Sequence, residues 1–277
     1  MRFLIFFLIY YDIINIGGIM EIGHSKTTDM VLRYISDEKK QEMEDFISEI
    51  FFEKFLEIKN NEQLKSVFKD NLYEFLNSVT QDELLDLRTY TGYNFKNINA
   101  ILRNNWAYEE NGLLTEEQKR KFLILSQKIS EIIKKFPRLP YNFITYRGTT
   151  LSSFSKYGIS NINDLQSLKG NYMYEEGFTS TSVIEDTCYF NKQLETGLNY
   201  NIKLKYLVSS EYDEGVLLQN NDMSYSTNQN EYLINKGSLS KVIDVNVDKE
   251  LNQAELTLVI VPRKKWDIVK ENENKVR

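Results

Sequence analysis

Lys134-Lys135-Phe136-Pro137-Arg138-Leu139-Pro140-Tyr141-Asn142-Phe143-Ile144-Thr145-Tyr146-Arg147-Gly148 is the stretch on which the reading of the fold turns. Before it, apolar residues recur every three or four positions; after it, they alternate with polar ones. Thr115 and Gln118 form a capping-box pattern, followed by Phe122, Leu125, Ile129, Ile132 and Phe136 in a 3,4,3,4 rhythm. Pro137 and Pro140 end that helix, because proline removes a backbone donor and clashes with the preceding turn. From Asn142 to Arg147 the chain reads as a first strand.

Working outward, the helical pattern extends back to about Thr27. Met43, Phe46, Ile47, Ile50, Phe51 and Phe55 are expected to paint one apolar stripe. Downstream, Tyr200, Ile202, Leu204, Tyr206 and Val208 alternate with polar neighbours, as do Leu239, Ile243, Val245 and Val247, and Ala254 to Val261 reads as another strand. A turn-rich stretch near Lys169 to Asn171 and a polar loop, Gln219 to Asn230, separate them. Helices first and strands second imply an α+β fold with helices packed on a mostly antiparallel sheet. The expected organisation is one domain over residues 26–277, mainly helical over 26–140 and mainly strands over 141–265.

Composition narrows the function. The chain has 277 residues, with 34 Lys and Arg against 40 Asp and Glu. The resulting net charge of −6 gives no electrostatic reason to expect a nucleic-acid partner. Cys188 is the single cysteine and His24 the single histidine, which removes disulfide frameworks, thiolate and histidine metal sites, and His-dependent nucleophilic catalysis. No metal is expected. Residues 1–25 are set apart from the fold. Arg2 precedes the apolar run Phe3 to Ile9, interrupted at Asp12, and reads as an imperfect secretory leader or as sequence upstream of a start at Met20, with export preferred. The run is too short and broken to be read as a membrane span, so no stable membrane association is expected.

Three motifs remain, each weak alone: Tyr146-Arg147-Gly148, Gly177-Phe178-Thr179-Ser180-Thr181-Ser182 and Gln229-Asn230-Glu231-Tyr232-Leu233. An arginine at a strand end is ordinarily a surface cation, and Ser-Thr-Ser ordinarily a run of solvated hydroxyls. A fourth element, Tyr90-Thr91-Gly92 running into Asn97-Ile98-Asn99-Ala100-Ile101-Leu102-Arg103, places Asn99 and Arg103 on one helical face by their i, i+4 spacing.

In this order, over about residues 80–262, the motifs resemble those of the bacterial mono-ADP-ribosyltransferase toxins, specifically the clostridial Rho-modifying exoenzymes and their staphylococcal and bacillar relatives. The resemblance implies a mixed, mostly antiparallel two-sheet core, and NAD as co-substrate. Breaking the bond between ribose and nicotinamide develops an oxocarbenium-like cation, which a carboxylate stabilises. The resemblance gives that role to Glu231, with Ser180 orienting the carboxylate. It gives NAD contacts to Arg147, Arg103, Asn99, Gly148, Thr181 and Ser182; a planar guanidinium suits a pyrophosphate. Gln229 is the residue that speaks to the acceptor. A neutral amide both donates and accepts, which suits an asparagine carboxamide, whereas arginine-modifying toxins place a Glu there.

The resemblance therefore implies a secreted enzyme acting in the host cytosol, a monomer, with a Rho-type GTPase as protein substrate and a translocation partner left open. At this chain length a second transferase-like domain is not expected. An arginine-specific transferase, an NAD glycohydrolase and a non-catalytic binding module of the same fold remain as alternatives. Two departures stand out: the family's aromatic five residues before the Glu is Ser226 here, with Tyr225 one place earlier, and Lys236 stands near where the family carries an Arg.

Overall fold

In the computed structural model, which describes residues 25–103, 114–188, 190, 200–225 and 229–266, the first half of the chain is helical. Its elements are α1 Lys26–Tyr34, α2 Asp37–Ile50, α3 Asn61–Ser78, α4 Gln81–Thr89, α5 Phe95–Leu102 and α6 Glu116–Ile133. The N-terminal run read as a leader lies outside the described residues, as does Ser226. Helix starts follow their caps: Thr115 and Gln118 bond reciprocally at the head of α6, and Thr80 and Glu83 do so at α4. Helix α2 stops at Ile50, so Met43, Phe46, Ile47 and Ile50 are buried but Phe51 stands largely exposed, contrary to the expected six-residue stripe. A π turn, Tyr90–Asn94, joins α4 to α5, with Gly92 at ψ −119° breaking the helical path.

The strands are β1 Phe143–Thr149, β2 Tyr172–Glu175, β3 Thr179–Ser182, β4 Ile202–Val208, β5 Gly215–Leu218, β6 Glu231–Ile234, β7 Ser238–Asp248 and β8 Gln253–Val261. They form one eight-stranded sheet in the order β2-β7-β8-β4-β1-β3-β6-β5. Every pairing is antiparallel except β4 with β8. The fold is thus α+β with a mixed, mostly antiparallel sheet, as expected. The expectation of two sheets is corrected to one continuous order with a seam. Strands β1 and β4 pair along seven positions, whereas β1 and β3 are registered only through Tyr146 and Ser182. This join, between the five strands β2-β7-β8-β4-β1 and the three strands β3-β6-β5, is weak because the four-residue β3 meets β1 at a single registered pair.

Strand alternation sorts the core into two layers. On β8, Leu256, Leu258 and Ile260 join Phe68, Phe75, Leu87, Ile98 and Ile129 of α3 to α6. Val259 and Val261, facing the other way, join Ile144 and Leu207 against Val31, Met43 and Phe46 of α1 and α2. The helical half therefore covers both faces of the sheet. At the outer edge, the backbone N–H of Tyr174 in β2 donates to Thr28 Oγ1 at 3.0 Å, so α1 occupies an edge donor that would otherwise be open to pairing.

Candidate active site

The seam between β1 and β3 is where the motifs meet. Arg147 sits on β1 opposite Leu204, and its Nη1 donates to the carbonyl of Ser180 at 2.8 Å, bridging the strands beyond the last registered pair. Glu231 opens β6 opposite Ser182. Side chains two residues apart on a strand share a face, so Ser180 lies diagonal to Glu231, and its hydroxyl hydrogen-bonds that carboxylate. Glu231 is buried, at 7% exposure. Burial raises its pKa above the usual carboxylate value, while the Ser180 hydroxyl and the Arg147 charge oppose that rise.

The backbone around Glu231 explains the Gln-x-Glu spacing. Asn230 adopts φ 49°, in the left-handed region where asparagine is tolerated and most residues are strained. Its side chain accepts from Gln219 Nε2 at 2.9 Å, and its carbonyl takes the N–H of Val183 at 3.0 Å. This one turn directs Glu231 into the sheet while Gln229 remains half-buried at the loop end, its carbonyl accepting from Thr187 Oγ1 at 3.2 Å.

The Ser-Thr-Ser triplet divides its labour. Only Ser180 reaches the carboxylate. Thr181 is buried and donates to the carbonyl of Tyr232 at 2.7 Å, tying β3 to β6. Ser182 donates to the carbonyl of Ile184 at 2.8 Å and shares a hydrogen bond with Thr187, which shapes the turn after β3. The hydroxyls of Thr181 and Ser182 are thus engaged within the protein. Gly148 is buried on β1 opposite Lys203.

Asn99 and Arg103 approach from α5. The amide of Asn99 is engaged at both ends: Nδ2 donates to the Tyr90 hydroxyl at 3.2 Å, and Oδ1 accepts the N–H of Phe178 at 2.8 Å. It therefore braces the segment leading into β3. Arg103 lies across the same turn, with Nε on Glu175 Oε1 at 2.7 Å and Nη2 on the carbonyl of Phe178 at 3.4 Å. Glycine at 177 is what lets these side chains approach, since a Cβ there would stand 2.7 Å from Asn99 Oδ1 and 3.1 Å from Arg103 Nη2.

Glu175 and Lys156 were not singled out from the sequence, and Tyr90 entered only as the first residue of the Tyr90-Thr91-Gly92 motif. Burial pushes the Glu175 carboxyl up, but the charges of Arg103 and Lys156, with hydrogen bonds from Arg103 and the Gly177 N–H, bring it down to about 2. Lys156 Nζ binds Glu176 at 2.7 Å and the carbonyl of Tyr174 at 3.0 Å. The signal was adjacent: Glu175-Glu176 immediately precedes the quoted Gly177-Phe178.

Tyr225 stands apart from the seam. It is exposed, with the Arg88 guanidinium 4.9 Å from its ring centre and Gly92 of the π turn against its edge. Lys236 turns toward α6, where Nζ donates to Ser126 Oγ at 2.8 Å; burial and the neighbouring Lys134 lower its pKa to about 8. Among the described residues, no group of three or more His, Cys, Asp or Glu is placed to hold a metal ion.

A family model for ADP-ribosyltransferase exoenzymes matches residues 59–263. No curated protein matches the chain by sequence. Among solved structures, an ADP-ribosyltransferase from Clostridium botulinum is 21% identical with a TM-score of 0.58, and the match covers 75% of this chain and 99% of that one. A protein from S. aureus, solved with NAD, is 15% identical with a TM-score of 0.57, covering 76% and 100%. The Clostridium limosum C3 exoenzyme is 20% identical with a TM-score of 0.55, covering 76% and 98%. At these identities the likeness to solved structures is one of fold.

Proposed function

This chain belongs to the ADP-ribosyltransferase exoenzyme family and is an NAD-dependent ADP-ribosyltransferase, a premise from which we propose that it is a secreted toxin that modifies an asparagine of a Rho-type small GTPase in the host cytosol. NAD supplies an activated ADP-ribosyl group when bound. The residues at the seam fit such a ligand: two guanidiniums, Arg147 and Arg103, are held at the β3 segment through the carbonyls of Ser180 and Phe178, and two cations suit a dianionic diphosphate. Glu231 supplies the fixed negative charge for the oxocarbenium-like transition state, and Ser180 holds the carboxylate oxygen in place.

One observation carries the acceptor reading. Gln229, a neutral amide, is set at the loop end by the left-handed turn of Asn230, two residues from the catalytic carboxylate. An amide positioned there can accept from and donate to a carboxamide, and it has no charge with which to recruit a guanidinium. Tyr225, exposed with the Arg88 guanidinium against its ring, is an aromatic for the protein substrate to meet. Gly148, Thr181 and Ser182 support the NAD site through the backbone they shape, and Asn99 does so through its brace on Phe178.

The test is incubation of the protein with NAD and purified Rho-type GTPases, followed by mass spectrometry of the modified peptide. The expected result is ADP-ribose on an asparagine side chain. Transfer to arginine, or release of free ADP-ribose alone, sinks the asparagine reading. In the same assay Gln229→Glu lowers asparagine modification by about tenfold or more while NAD hydrolysis is retained, since only the acceptor contact changes.

A further inference from the structure

The charges around the seam balance in an unusual way. Arg103, Arg147 and Lys156 stand with Glu175, Glu176 and Glu231, three cations to three carboxylates. A carboxylate beside a cation that must meet a diphosphate weakens the bare attraction, so charge recruitment does not explain Glu175. Its geometry does. One oxygen, Oε1, takes both Arg103 Nε at 2.7 Å and the N–H of Gly177 at 2.8 Å. Glu175 is itself fixed at the end of β2, opposite Ser238 of β7.

An arginine gripped at Nε has its guanidinium plane set, and its Nη edge is directed away from the gripping carboxylate. Here that edge lies over the Gly177-Phe178 turn that leads into Ser180. We propose that Glu175 is a positioning residue for the transferase reaction, orienting Arg103 toward the diphosphate of NAD and fixing the turn into β3 with the same oxygen. The inference rests on the reading that Arg103 meets that diphosphate. Glu175 touches no reacting atom; it acts through Arg103.

Calorimetric titration of NAD into the whole protein, alongside melting temperature and kcat for NAD hydrolysis, tests it in a double-mutant cycle. Glu175→Gln is expected to weaken NAD binding about tenfold, the equivalent of one charge-assisted hydrogen bond, with kcat changed much less. Arg103→Met weakens binding at least as much, and adding Glu175→Gln to Arg103→Met costs nothing further in Kd. Glu175→Asp keeps the charge, withdraws the oxygens by one methylene and gives an intermediate Kd at near wild-type melting temperature; it carries the cycle if the Gln variant fails to fold. Wild-type Kd in the Glu175 variants, with Arg103→Met still impaired, overturns the positioning role alone. So does a full additional loss in the double variant. Wild-type Kd in Arg103→Met removes the Arg103 reading and this inference with it.

Discussion

At the scale of the residue, the proposed reaction needs the carboxylate of Glu231 in its charged form at a place that disfavours charge. Its pKa is raised by burial, so activity is present above the raised value and falls as pH drops through it; the acid limb of the kcat profile is expected above the ordinary carboxylate range. The same shift has the opposite sign for stability. An acid whose folded pKa exceeds its unfolded one destabilises the fold at neutral pH and ceases to do so below both values. Glu231→Gln is therefore expected to lower kcat by about 100-fold or more while leaving NAD affinity nearly unchanged. It should also raise the melting temperature at pH 7, an advantage that vanishes near pH 4; a lower melting temperature in both conditions contradicts the account. Asn230 makes a second case. With φ 49°, Asn230→Ala is expected to cost about 1 kcal/mol or more from backbone strain, and chemical denaturation measures it. The residue types of the proposed site were legible in the sequence through the quoted motifs, though the left-handed turn at Asn230 was not. The resemblance pointed to Ser180 among the three hydroxyls; that Thr181 and Ser182 are engaged elsewhere was not legible, because it depends on strand parity and on a turn set by Thr187.

At the scale of the element, the π turn Tyr90–Asn94 joins two parts of the site. Tyr90 reaches Asn99, Thr91 Oγ1 donates to the carbonyl of Met223 at 3.4 Å, and Gly92 lies under Tyr225. A Cβ on Gly92 would stand 2.9 Å from Tyr225 Cε2, so Gly92→Val displaces the ring and the loop behind it. Modification of the protein substrate is expected to drop, by up to about 100-fold in kcat/KM for an ångström of misplacement, with NAD hydrolysis spared. Equal loss in both assays argues against the loop as the affected part. The elements themselves were unevenly readable. The capping box at Thr115 and the long strands β4, β7 and β8 appeared in the sequence because many residues repeat one period. Strands β2 and β5 did not, since four residues cannot establish an alternation, and β5 is buried at every position. On β7, a register shift between Val242 and Asp244 breaks the alternation that the sequence had suggested from Leu239 to Val247.

At the scale of the whole molecule, the order of helices then strands was readable, but the way the helical half wraps both faces of the sheet was not. Nothing in the local pattern of α1 and α2 says which face they cover; that follows from the parity of Ile144, Leu207, Val259 and Val261. The continuous sheet with a weak join is likewise a property of assembly. A ligand that binds only the folded form stabilises it by about 2.7 kcal/mol at a hundredfold excess over its Kd, so NAD is expected to raise the melting temperature by several degrees. That gain has an address. Strands β3, β6 and β5 join β1 through the pair Tyr146 and Ser182, the Arg147 grip on Ser180 and the Phe143–Tyr232 ring contact, with one registered pair against seven between β1 and β4, which makes this junction the expected line of local opening. The backbone amides of β3 thereby become an internal gauge of occupancy: deuterium enters them readily in the free protein, and NAD slows its uptake there more than in β4, whose seven-residue pairing needs no such help.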